Sequence, residues 1–360
     1  MNDPASGFYI GKQYVGNSSP TFFIADIGAN HDGDLSRAKD LIRLAKKAGA
    51  DAVKFQHFKD HTIVSDYGFR TLSNIQSHQA KWNKSVSEVY RAASLNAEWT
   101  KDLKDHADKF EIEFFTSPYA FDLVDYVDPY VTAFKIGSGD ITWLEIIRYI
   151  ASKGKPYIIA SGAATMDDVE RAISTGIDIN NQIALLQCNT NYTGSIENFK
   201  SIQLNVLKSF RAMYPNMILG ISDHTPGHAV VLGAVALGAR IVEKHFTDDV
   251  DREGPDHAFA MDPTTWRDMV DRTRELEFAL GSGVKKIESN EKETVIVQRR
   301  SIRTSKELTK GQTIRREDTE MLRPCPQDAL PPYMIESIIG RKLTRDMIKG
   351  EHFTLDDFKS

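Results

Sequence analysis

The sequence predicts a (β/α)8 barrel followed by a small β-rich C-terminal domain. Three observations carry that prediction. Short apolar runs of strand length recur eight times, with helically spaced segments between most of them. Such alternation implies a parallel sheet with right-handed crossovers. Eight units within residues 1–285 match the size of a closed barrel. A doubly wound open sheet is the rival architecture. Its first turn normally reads G-x-G-x-x-G, whereas the corresponding turn here reads GANHDG over residues 28–33.

The first strand is predicted over residues 21–28, TFFIADIG. A helix follows over 35–47, with apolar residues at 35, 38, 41, 42, 44, 45 and 48 and a stop at Gly49. Further strands are predicted over 52–58, 113–118, 133–139, 156–162, 183–190, 218–224 and 240–246. Helices are predicted over 97–109, 121–127, 142–152, 166–175, 202–213 and 228–237, and a last one over 264–280. Two segments break the rhythm. Residues 59–95 form a long insertion with the aromatics Tyr67, Phe69, Trp82 and Tyr90, and loops of that length are often lids or binding loops. Residues 286–300 are charged and follow a glycine-rich stretch, which reads as a linker. Beyond it, residues 301–360 make a second block in which ELTKGQTIRREDT and DMIKGEHFTLDDF look like one turn-and-strand device used twice. So small a block is expected to lean on another surface.

Composition bounds the function. The 360 residues are 41% apolar and 26% charged, ordinary values for a globular chain. A net charge of −5 argues against a nucleic-acid binder. Cys188 and Cys325 match no zinc spacing and build no disulfide framework, which suits a reducing, cytoplasmic setting. The N-terminal residues lack the order of a signal peptide. The longest apolar run, AVVLGAVALGA, is 11 residues, short of the roughly 18 that a membrane helix needs.

A barrel of this kind places its chemistry at the strand C-termini. Those ends are unusually polar here: Asp26 with Asn30-His31, Lys54 with Gln56, Thr116-Ser117, Lys135 with Ser138 and Asp140, Ser161, Asn189 to Tyr192 with Thr190 between them, Ser222-Asp223-His224, and Glu243-Lys244-His245. Lys54, Lys135 and Lys244 sit inside strand runs, where burial without an anionic partner costs several kcal/mol. Each either converges on the cavity or points outward between strand and helix. Two converging lysines with Ser and Thr hydroxyls make a site for phosphate or carboxylate. His224 and His245 end consecutive strands, which lie about 4.8 Å apart. They either share a divalent metal through neutral nitrogens or are ordinary hydrogen-bonded side chains. Asp26, mid-strand among apolar residues, points to an active-site carboxylate.

The motifs FFIADIGANHDGDLSRAKDLI, GADAVKFQ, FFTSPY, FKIGSGDIT, GISDHTPG and GARIVEKHFTDDVDREGPDHAFAMDP resemble the sialic acid (nonulosonate) synthase family. The C-terminal block, from SIRTSKELTKGQTI through RPCPQ to GEHFTLDDF, resembles the antifreeze-like (SAF) domain that follows the TIM barrel in those enzymes. The resemblance implies a transferase that condenses phosphoenolpyruvate with an N-acetylated mannose-type aldose and releases phosphate. It implies that His224 and His245 hold Mn2+ or Mg2+. Lys54, Thr116, Lys135, Ser138, Tyr192 and Ser222 correspond to residues around phosphoenolpyruvate. Ser161 and Thr190 join the substrate-binding candidates as polar strand ends. Gln56 and Asp256 correspond to residues facing the sugar or a metal-bound water, and Asp26, Asp140 and Asp256 are the candidate proton-transfer groups. Arg323 corresponds to the SAF arginine that reaches a neighbouring barrel in a domain-swapped homodimer and contacts the sugar's N-acetyl group. The 59–95 insertion is expected to cover the sugar end.

The sequence departs from the family pattern at several positions. Asp26 and Asp140 each stand where Glu is usual, Ala160-Ser161-Gly162-Ala163 replaces Ser-Thr-Gly-Met, and Thr190 replaces a common Asn. Those changes leave open a di-N-acetylated trideoxy acceptor of legionaminic or pseudaminic type or a sugar phosphate, and the shortened acids allow a catalytically silent sugar binder; a third alternative is a metal-dependent aldolase acting on pyruvate.

Overall fold

Eight short strands, each buried from end to end or nearly so, alternate with amphipathic helices and close into a barrel. The computed structural model describes residues 4–72 and 84–358. A hairpin of β1 (Gly7–Ile10) and β2 (Gln13–Gly16) precedes the barrel. The barrel strands are β3 (Phe22–Asp26), β4 (Ala52–His57), β5 (Glu113–Pro118), β6 (Phe134–Ile136), β7 (Tyr157–Ala160), β8 (Ile183–Cys188), β9 (Ile218–Ser222) and β10 (Ile241–His245). They run parallel, in chain order, and β10 closes on β3.

The crossovers carry α1 (Leu35–Ala48), then α2 (Asp60–Ile63), α3 (Asp66–Thr71), α4 (Val86–Ala93) and α5 (Thr100–Lys109) between β4 and β5. They continue with α6 (Phe121–Val127), α7 (Leu144–Ala151), α8 (Met166–Ile177), α9 (Val206–Met213), α10 (Ala229–Ala236) and α11 (Pro263–Leu280). Local chemistry sets their ends. Asp34 caps α1 by accepting from the Ser36 and Arg37 amides, and Gly49, at φ 97°, supplies the left-handed stop. Asp262 caps α11 in the same way, with Pro263 at the first helical position. Ala38, Leu41, Ile42 and Ala45 form the buried stripe of α1. Trp266 of α11 is fully buried and meets Phe246 edge-on at 5.5 Å.

The hairpin has no counterpart in the sequence expectations, and it occupies the end of the barrel away from the polar strand tips. The Ala5 amide donates to Asn181, the Lys12 amide to Glu113, and Arg240 to the Asn17 carbonyl. All three partners stand at or just before strand starts. Phe8, Ile10 and Val15 are the buried residues that this lid adds to the barrel core.

The chain divides into two units, Met1–Gly281 and Ser282–Ser360. The second holds its own small core, centred on Ile302, Leu308, Ile314, Leu343, Met347 and Phe353. Its segment 286–300, read as a linker, contains the short helix α12 (Lys292–Gln298). Strands β11 (Ser301–Thr304) and β12 (Thr319–Leu322) pair antiparallel. The repeated phrases occupy matching places. Leu308 and Met347 exchange both backbone hydrogen bonds at 2.9 Å, Gly311 and Gly350 take φ of 84° and 83°, and Asp318 and Asp357 are both buried. Lys306 pairs with Asp318 at 2.8 Å, and Arg345 pairs with Asp357 at 2.6 Å. No helix among the described residues is long and apolar enough to cross a membrane.

Candidate active site

The ends of the barrel strands surround one cavity of about 800 Å³, within the size range of small-molecule sites. Strand alternation decides what enters it, because successive side chains face opposite sides of the wall. Asp26, Lys54, Gln56, Lys135, Ser222 and Glu243 face inward, and His224 and His245 stand at the rim of the last two strands. Register aligns them: Asp26 pairs with Lys54 on one side and His245 on the other, while Ser222 lies between Cys188 and Glu243.

Ser138, Asp140, Thr190, Tyr192 and Asp256 also line the cavity. Thr116 and Ser161 do not. Thr116 is turned away by one residue of alternation and donates to the Phe55 carbonyl at 2.8 Å, with His57 against its hydroxyl at 2.8 Å. Its neighbour Ser117 lines the cavity instead, with a buried hydroxyl that has no hydrogen-bond partner. Ser161 donates to the Leu186 carbonyl at 3.0 Å, and Ala160 takes the inward place. Arg323 is an exposed residue of the second unit, just beyond β12.

The three strand lysines separate in the same way. Lys244 faces away from the cavity, fully buried, and bonds Asp223 at 2.5 Å and the Thr225 carbonyl at 2.6 Å. Lys54 and Lys135 converge on the cavity. Lys54 Nζ lies 2.7 Å from Asp26 Oδ2, and Lys135 Nζ lies 3.4 Å from Glu243 Oε1. Asp26 also accepts from the Gly28 amide at 3.0 Å and from Gln56 at 3.3 Å. Burial pushes the Asp26 carboxyl up, but Lys54 and then His245 outweigh it and hold it below the usual carboxylate range. Burial likewise pushes the Lys54 ammonium down, and Asp26 and Glu243 outweigh that. The pair is therefore a buried, ionised couple with a second buried lysine nearby. Ser222 donates to the same Glu243 oxygen at 3.0 Å, whereas Glu243 Oε2 is buried without a partner.

His224 and His245 face each other with ring centroids 5.4 Å apart. Burial, then the neighbouring His245, holds His224 well below the ordinary imidazole value, so it is neutral. Its Nδ1 lies 3.0 Å from the Asn189 carbonyl. A carbonyl only accepts, so Nδ1 carries the proton and Nε2 keeps its lone pair. Nδ1 of His245 is buried without a hydrogen-bond partner, 3.8 Å from Asp256 Oδ2. Asp256 in turn accepts from the Ala29 amide at 3.0 Å. Gly28 leaves room for this corner, because a Cβ there would stand 2.6 Å from Asp256 Oδ2 and 3.2 Å from His245 Nδ1. Among the described residues no group of three or more His, Cys, Asp or Glu is arranged to hold a metal. Two imidazoles, His224 neutral with a free Nε2 lone pair and His245 with a buried unpartnered nitrogen, fit a divalent cation whose remaining positions go to substrate and water.

Burial pushes the Asp140 carboxyl up to about 6, with Lys135 offsetting part of the rise. Below about pH 4 the group is neutral in folded and unfolded chains alike. Between that value and about 6 only the unfolded chain ionises, so stability falls as pH rises, and above 6 the penalty is complete. Asp140→Asn is expected to raise the melting temperature near neutral pH by roughly 2–6 °C, for about 1–2 kcal/mol after allowance for partial exposure. At about pH 4 it is expected to change nothing. Melting curves at the two pH values check this.

Three features of the site carried no assignment in the sequence. Glu243 stands two residues before His245 on one strand, so alternation alone places both inside. Asn189 acts through its backbone carbonyl, which no side-chain pattern reveals. The outer wall, from Phe58, Tyr119 and the helices α2 to α4, comes from a connection without periodicity. The 59–95 insertion thus borders the cavity; Trp82, one of its aromatics, lies outside the described residues.

Comparison with known proteins gives matches along nearly the whole chain. Residues 41–285 match the NeuB family and residues 299–359 match the SAF domain. The N,N'-diacetyllegionaminic acid synthase of Legionella pneumophila is 35% identical, over 93% of this chain and 94% of that protein. The human N-acetylneuraminate-9-phosphate synthase is 30% identical, over 92% of this chain and 90% of that protein. Among solved structures, the N-acetylneuraminic acid synthetase of Leptospira borgpetersenii superposes with a TM-score of 0.70 at 27% identity, covering 82% of this chain and 97% of that one.

Proposed function

This chain belongs to the NeuB family, and from that premise we propose that it is a nonulosonic acid synthase: it condenses phosphoenolpyruvate with an N-acetylated mannose-type aldose and releases phosphate. The observation that carries the reading is the convergence of Lys54 and Lys135 with the His224–His245 pair in one cavity. Phosphoenolpyruvate is a small trianion, and the two lysines, Ser138, Ser222 and Tyr192 supply positive charge and hydroxyl donors for it. The unpartnered Ser117 hydroxyl adds a donor that the sequence reading left out. When bound at His224 and His245, Mn2+ or Mg2+ supplies Lewis-acid polarisation of the acceptor carbonyl.

The methylene carbon of phosphoenolpyruvate attacks the C1 aldehyde of the open-chain sugar. A C–C bond forms, and the aldehyde oxygen takes a proton and becomes a hydroxyl. Positive charge develops at C2 of the enolpyruvyl unit, where water adds and gives up a proton. The tetrahedral carbon then collapses to the ketone as the C–O bond to phosphate breaks. Asp256, fixed by the Ala29 amide, and Asp140 at the cavity wall are placed to move those protons. Asp26, ionised against Lys54, holds that lysine in position. Phosphate release from phosphoenolpyruvate that needs both an aminosugar and a divalent metal tests the reading. Turnover of pyruvate without phosphate release contradicts it.

The SAF unit suits a domain-swapped homodimer in which Arg323 serves the partner subunit's cavity. Arg323→Ala and His224→Ala, each inactive alone, are then expected to regain about a quarter of full activity when mixed and allowed to exchange subunits, since half of the dimers carry one intact site. No recovery after verified exchange places Arg323 with its own barrel. We place the reaction in the cytoplasm, where phosphoenolpyruvate is made and where Cys188 and Cys325, both free, stay reduced.

A further inference from the structure

The cavity has two chemically different sides. Its described lysines, Lys54 and Lys135, rise from barrel strands, and both are already in contact with carboxylates. An apolar part of the lining comes from Phe58 and the α2–α4 segment, which contributes Ile63, Val64, Phe69, Val89 and Tyr90. Phe58 packs edge-on against Tyr90 at 5.5 Å and Tyr119 at 6.1 Å, so this face is a fixed aromatic and aliphatic surface. Among the described residues, the segment's lysines and arginines stay out of the cavity, exposed Lys84 included. Lys59 bonds Asp122, Arg70 bonds Asp66 and Arg91 bonds Asp60, and none of the three lines the cavity. The cavity lining also includes two further carboxylates, Asp140 and Asp256.

A phosphate ester on the acceptor carries close to two negative charges at neutral pH. Set against this wall it loses water and gains no counter-charge from the wall's described residues, while Asp140 repels it. A methyl or acyl substituent loses nothing there and buries apolar area. We propose that the wall of Phe58, Ile63, Val64, Phe69, Val89 and Tyr90 selects the acceptor, admitting an unphosphorylated aldose with an apolar substituent and rejecting the sugar phosphate. The proposal rests on the synthase reading above and narrows it.

The test is a comparison of kcat/KM by phosphate release, with phosphoenolpyruvate, Mn2+ and one sugar at a time. The sugars are N-acetylmannosamine, its 6-phosphate and 2,4-diacetamido-2,4,6-trideoxymannose. The trideoxy sugar is expected to exceed the 6-phosphate by about 100-fold or more, the scale of discrimination that an unpaired buried charge gives. Val89→Lys is expected to narrow that ratio by about tenfold or more while the KM for phosphoenolpyruvate stays within about twofold. Phe69→Lys is the independent second variant, should the first not fold. A wild-type preference for the 6-phosphate overturns the proposal, as does a ratio that the folded lysine variants leave unmoved. Absence of phosphate release with every sugar overturns the synthase reading instead, and the proposal falls with it.

Discussion

Lys54→Met is expected to abolish turnover and, unlike most cavity substitutions, to destabilise the barrel. The variant removes the cation from a fully buried ion pair, and Asp26 is then left without its principal counter-charge. Breaking one partner of a buried pair typically costs about 3–5 kcal/mol. The Asp26 carboxyl, now pushed up by burial, takes a proton more readily, which recovers part of that cost. Loss of a charge aimed at the developing phosphate lowers kcat by about 10³-fold or more. The two effects separate in a second variant. Lys54→Met combined with Asp26→Leu is expected to recover most of the lost stability, because no uncompensated charge remains, and none of the activity. Denaturant unfolding and phosphate release measure the two quantities. A double variant as unstable as the single one excludes the ion pair as the source.

His224→Ala is expected to weaken Mn2+ binding by at least about 100-fold, the upper end of what losing a mere supporting contact costs. It should leave the fold intact. The ring lies among His245, Tyr192 and Phe259, all at the mouth of the barrel and outside its interior layers. The readout is the free Mn2+ signal in electron paramagnetic resonance, which needs no turnover. His245→Ala is expected to behave alike, and unchanged binding in both variants removes the metal from this site. Asn189 contributes only a carbonyl, so its side chain is a suitable control: Asn189→Ala keeps the 3.0 Å contact to Nδ1 and should keep the metal.

The barrel was legible because its code is periodic. Every predicted strand overlaps a strand of the closed wall, and α1, α6 and α11 lie within a residue of their predicted bounds. The Gln13–Gly16 strand was not legible. In its hairpin, Phe8, Ile10 and Val15 alone turn inward, too few for a pattern. At the site, polar residues at strand ends were easy to find, whereas their direction was harder. Thr116 against Ser117, and Lys244 against Lys54 and Lys135, differ only by the parity of each strand. That parity follows from register, which depends on how neighbouring strands pair. The outer wall was least legible, since Phe58 and Tyr90 meet across a connection whose path no local rule fixes.

The most direct test of the central claim uses phosphoenolpyruvate carrying 18O in the bridge between C2 and phosphorus, with Mn2+ and the preferred aminosugar. The account predicts one phosphate for each 2-keto acid formed, with the label in the phosphate, since the C–O bond breaks and water supplies the ketone oxygen. Label retained in the keto acid contradicts that route. Absence of phosphate release with every sugar of the panel, from folded and metal-loaded protein, contradicts the synthase assignment itself.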